Sequence, residues 1–120
     1  RLEMASFIPK KQSGKYKAIA SGAITNGKPV LVNANGTVSQ VSGSVTLTTE
    51  NFIGIASGGT YASAAEATID VVGTVNKDQT SLTAGQTYFV QTDGTLGTSA
   101  DDPSVVAGTA ISATELIVKG

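Results

Sequence analysis

The chain has 120 residues, a formal net charge of −1, and neither cysteine nor histidine. This excludes disulfides, thiolate metal sites and cysteine nucleophiles, and removes the commonest proton shuttle and metal ligand. The length suits one domain. Only 14% of residues are charged, whereas 16 Thr, 12 Val and 8 Ile give a β-branched composition that favours strands and disfavours helices and most enzyme mechanisms.

The N-terminal region is set apart by charge. Residues 1–28 carry Arg1, Lys10, Lys11, Lys15, Lys17 and Lys28 against Glu3 alone, so the remaining 92 residues are net acidic. Arg1-Leu2-Glu3 precede Met4-Ala5-Ser6, which reads as a translation start, and the first three residues are given no functional weight. Pro9-Lys10-Lys11 interrupts any secretory apolar stretch, and no run approaches the ~18 apolar residues of a membrane span. Residues 1–15 are expected to form a flexible basic arm, because Pro9, Gly14 and the lysines leave little apolar surface to offset ordering. Residues 16–120 are expected to form a single β domain.

From Tyr16 onward, β-rich runs alternate with turn dipeptides every eight to twelve residues, the spacing of a small β-sandwich or barrel. Strands are predicted over Tyr16–Ile24 and Val30–Asn33, separated by Asn26-Gly27. After Asn35-Gly36 come Thr37–Val41, Ser44–Thr49 and Phe52–Ala56, then a break at Gly58-Gly59. The one helical candidate, Tyr61–Ala67, is too short to be stable by itself. Ala67–Val75 alternates, with Ala67, Ile69 and Val71 on one face and Thr68 and Asp70 on the other. A strand around Tyr88 and Val90 ends at Asp93-Gly94, and Val105–Ser112 and Glu115–Val118 close the chain.

Two stretches align without gaps, Ile24–Val38 on Leu82–Leu96, and each later reaches a Gly-x-Ala, Gly54-Ile55-Ala56 and Gly108-Thr109-Ala110. Each copy reads as turn, apolar strand, Asx-Gly hairpin, strand, then a small-residue strand where backbones approach closely. The domain is therefore expected to consist of two repeated hairpin halves.

Little catalytic chemistry is on offer. Asp101-Asp102 is the one adjacent acidic pair, and neighbours on a strand face opposite ways, so before Pro103 the pair reads as a turn initiator. Joined by Asp93 it could bind Ca²⁺ weakly, but no EF-hand spacing supports this and no metal or cofactor site is assigned. Ser13-Gly14-Lys15 lacks the rest of a P-loop, and no histidine activates the many hydroxyls. Asn35-Gly36-Thr37 matches a glycosylation sequon but is better read as a hairpin turn. With no Trp, three Tyr and three Phe, a sugar platform or base-stacking surface is poorly supplied, and neither nucleic acid nor membrane is expected as a partner. The basic arm instead suits a protein partner, with Phe7 and Ile8 as anchors and Lys10, Lys11, Lys15 and Lys17 meeting acidic residues.

The second half carries a resemblance. Leu82–Gly85, Tyr88–Leu96 and Val106–Val118, together with Phe52–Ala56 and Thr68–Val75, resemble small β modules of tailed-bacteriophage virion structural proteins, over about residues 20–119. More loosely, Val30–Gly36, Gly54-Ile55, Val71–Val75 and Ala107–Ser112 are similar to lambda-type capsid decoration proteins, although this chain continues past Ser112 for another strand. The resemblance implies a compact β-tulip-like fold and a homotrimer on the exterior of a capsid assembled in the bacterial cytoplasm. It also implies an N-terminal arm that orders on the major capsid protein, cementing the head without catalysis. A tail-fibre or adhesin module contacting host-surface glycans is the alternative, and an enzyme is a distant third.

Overall fold

The computed structural model describes residues 15–119, and in them the fold is all-β. The strands are β1 (Lys15–Ile19), β2 (Pro29–Val32), β3 (Val38–Gln40), β4 (Phe52–Ser57), β5 (Glu66–Asp70), β6 (Val75–Asn76), β7 (Thr87–Val90), β8 (Leu96–Gly97), β9 (Val106–Ala110) and β10 (Leu116–Val118). They form two antiparallel five-stranded sheets, ordered β1-β5-β4-β2-β3 and β6-β10-β9-β7-β8. Adding five to each label in the first order reproduces the second, so the molecule is a tandem duplication in topology.

The register repeats as well. In the first sheet Val30 pairs with Gly54 and Leu31 with Phe52, leaving Ile53 as a bulge. In the second, Tyr88 pairs with Gly108 and Phe89 with Val106, leaving Ala107. At both bulges only glycine fits, since a Cβ on Gly54 would collide with the Asp70 carbonyl and one on Gly108 with the Ile117 carbonyl. The hairpin turns match bond for bond. Asn33 N–H donates to Thr37 O, and the Asn35 carboxamide oxygen accepts from the Thr37 N–H and hydroxyl; Gln91, Thr95 and Asp93 do the same. Gly36 and Gly94 take the positive φ, 87° and 91°, that these turns require.

Each repeat has two faces, called front and back here. The front of the first repeat carries Val30, Val32, Ile53, Ala56, Ile69 and Val71 and, with Ala20, Ile24 and Tyr61, forms one apolar cluster. The front of the second repeat carries the equivalent Tyr88, Val90, Ala107, Ala110, Leu116 and Val118. These pack in a second cluster with Leu31 and Ile55 from the back of the first repeat and with Val41 and Leu47 from its β3–β4 connection. The repeats thus stack front to back, with the larger core between them.

Two strand expectations change, and the helical candidate, expected to be too short to be stable, forms no helix. Ser44–Thr49 is not a strand: Thr48 N–H donates to Asn51 Oδ1 (2.8 Å), Asn51 N–H to Thr48 Oγ1 (3.1 Å) and Asn51 Nδ2 to Thr46 O (2.8 Å), so side chains take the backbone groups a ladder would use. Tyr61–Ala67 is a turn, with Ala64 at φ 72° and Ala65 N–H bonded to Ala62 O (3.1 Å), followed by the start of β5. The run predicted as Ala67–Val75 divides at Gly73 (φ 93°), where Thr74 N–H closes a turn on Val71 O. That turn is the joint between the repeats.

Candidate partner-binding site

Among the described residues the first strand is an edge, hydrogen-bonded to β5 on one side only. Its alternation places Tyr16, opposite Ile69, on the front and Lys15, opposite Asp70, on the back. Lysines on an edge discourage uncontrolled pairing with other strands, and Lys15, Tyr16 and Lys17 are all exposed. Phe7, Ile8, Lys10 and Lys11 lie outside the described residues. The two remaining sequence candidates separate: Lys17 is free of any ion pair among the described residues, whereas the Lys15 ammonium is bound to the Asp70 carboxylate of its own chain.

Asp70 is the polar centre of the molecule. It is 1% exposed, and its oxygens accept from Lys15 Nζ, Ser57 Oγ (3.1 Å) and Asn76 Nδ2 (3.0 Å). Asn76, completely buried at the start of the second repeat, also donates to Ala56 O (3.2 Å) and accepts from Gln79 Nε2 (3.0 Å), which in turn donates to Gly27 O (2.8 Å). The network ties the back of the first repeat to the front of the second and satisfies a buried charge with three donors. Sequence periodicity correctly set Asp70 opposite Ile69, but could not show that this other face would be covered by a second sheet.

Beside β1 lies an open, largely apolar groove of about 620 Å³, lined by Lys15, Tyr16, Val32, Phe52, Ile53, Val71 and Val72. Tyr16 and Val72 are 44% and 58% exposed. No motif marked this groove, because its residues come from three strands and the joint and meet only in the fold.

Asp101 acts as the turn element expected of it, accepting from the Thr92 N–H (2.9 Å) and hydroxyl (3.1 Å) and from the Asp102 N–H (2.8 Å). The Thr92 N–H, then that of Asp102, holds its carboxyl below the ordinary range; the Thr95 hydroxyl, then the Thr95 N–H, does the same for Asp93. Among the described residues no three carboxylates converge on a point that could hold a metal ion. No protein-family model matches the sequence, and no curated protein matches it significantly.

Proposed function

We propose that the protein is a non-enzymatic structural component of a phage virion, a decoration protein that docks on the capsid exterior and bridges neighbouring subunits of the major capsid protein as a homotrimer. The observation that carries this reading is the edge position of β1, unpaired on one side among the described residues, with its exposed Lys17 and with Lys10 and Lys11 preceding it in the sequence. The arm that precedes this strand adds to an exposed strand edge of a shell subunit through main-chain hydrogen bonds. Phe7 and Ile8 supply apolar anchors, which carry most of the binding energy, and the lysines meet acidic residues and set rate and salt dependence. The resemblance of residues 20–119 to virion β modules supports the same assignment.

The test is incubation with undecorated phage shells and location of the added density. Removing residues 4–14 should weaken shell binding at least about tenfold, or about 1.4 kcal/mol, while leaving the fold intact. The cut stops before Lys15 because that residue holds Asp70. Equal binding by the truncated protein overturns the arm's role, and glycan binding without shell affinity assigns the chain to a tail fibre instead.

A further inference from the structure

On the front of the first repeat Val30, Ala56 and Ile69 are fully buried with Ala20 and Ile24 in the chain's own cluster, but the duplication leaves the rest of that front and part of the second back less covered than their equivalents in the same molecule. Val90, Ala107 and Val118 on the front of the second repeat are completely buried against the back of the first. Their equivalents on the front of the first repeat, Val32, Ile53 and Val71, are only partly buried and line the open groove. At the other end, Leu31 and Ile55 on the first back are buried, while their equivalents Phe89 and Thr109 on the second back are half-exposed.

The glycines repeat this asymmetry. A Cβ on Gly94, in the second hairpin, would strike the Val41 carbonyl across the joint, and one on Gly27 would strike the Asp78 carbonyl. Their equivalents Gly36 and Gly85 have nothing within 4 Å. Closeness to the neighbouring repeat, present at one member of each pair, is absent at the other.

The outer surfaces are apolar where the inner joint is polar. The positions of Lys15, Ser57 and Asp70 on the first back are held on the second by Val75, Ile111 and Ile117. Of the four large hydrophobic side chains left exposed among the described residues, Tyr16 and Val72 flank the first front, Ile111, 52% exposed, stands on the second back, and Ile19 lies at the end of β1 on the first back. Charge is unevenly divided along the chain: the sequence before β1 carries Arg1, Lys10 and Lys11 against Glu3, while the second repeat has Asp78, Asp93, Asp101, Asp102 and Glu115 against Lys77 and Lys119.

From this geometry we infer that the protein associates head to tail with copies of itself, the front groove of one molecule's first repeat seating the back of another's second repeat as the repeats seat each other within the chain. The contact is heterologous, so it closes into a ring or runs on as a filament according to the rotation between copies, and a closed ring of three is one such outcome. It is independent of any shell.

The experiment is sedimentation of the full chain across concentration, with two classes of variant at exposed positions where folding is preserved: Tyr16→Glu or Val72→Glu on the groove, and Ile111→Glu on the opposite back. Circular dichroism confirms the fold of each. Wild type should assemble by ~100 µM, in the range of weak specific contacts, and each single variant should sediment as a monomer. A front variant mixed with the back variant should form a dimer and nothing larger, because the pair retains one intact front and one intact back. A monomeric wild type at that concentration overturns the inference, as it would if residues 1–14 of the same chain covered the groove. So does a back variant that still assembles, which would indicate groove-to-groove pairing.

Discussion

Gly54 and Gly108 bear the same strain test in two places. Each lies at a bulge where a neighbouring carbonyl occupies the volume of a Cβ, so Gly54→Ala and Gly108→Ala should each destabilise the fold by about 1–3 kcal/mol, the usual cost of overpacking. Urea denaturation checks this, and the larger loss is expected at Gly54, whose φ of 156° adds backbone strain to the collision. Asp70 is different in kind. Its replacement by Ala would leave Ser57 and Asn76 with buried donors lacking their carboxylate, while Lys15, half in water, recovers solvation. A loss of about 2–3 kcal/mol by the same measurement is expected, below that for a fully buried ion pair. Neither effect could be assigned from composition. The Gly-x-Ala recurrence pointed to close backbone approach, but the identity of the opposing carbonyls depends on pairings between residues far apart in sequence.

Hairpins are where sequence and structure agree best, because their geometry is set by two or three adjacent residues. Asn35-Gly36-Thr37 and Asp93-Gly94-Thr95 form turns with the same hydrogen bonds, yet only the second contains an ionisable acceptor. With Asp93 and Asp101 both lowered from 3.8 in the fold, their contribution to stability is complete above about pH 4 and is lost as pH falls through the lowered values. Denaturation of wild type and the Asp93→Asn, Asp101→Asn double variant at pH 6 and at pH 2–3 should show the wild type losing its relative advantage in acid. Longer elements were less legible. Ser44–Thr49 has strand composition but is held irregular by Thr48 and Asn51, and the alternation of Ala67–Val75 runs across a joint marked only by Gly73. Period-2 patterns reveal which residues share a face and nothing about which sheet they enter.

At the level of the molecule, the larger core is shared: Leu31, Val41, Leu47 and Ile55 come from the first repeat and Tyr88, Val90, Leu116 and Val118 from the second. Neither half can lose its partner without exposing that surface, so heat should unfold both sheets in one transition, with calorimetric and van't Hoff enthalpies in agreement. Residues 75–119 expressed alone should show no cooperative melt. The duplication was visible in the sequence from its turn offsets, but the stacking of one copy on the other was not, since it depends on which of two apolar faces each sheet presents. Stacking similar surfaces creates a sorting problem, because two fronts compete for each back. The contact from Asn76 to Asp70 resolves it. Only the second repeat brings a carboxamide to that carboxylate, whereas the first has Tyr16 at the equivalent position. Where many chains are made side by side, a first-repeat front meeting the back of another first repeat would lack the Asn76 amide, and the fit of that amide to Asp70 favours the pairing within one chain.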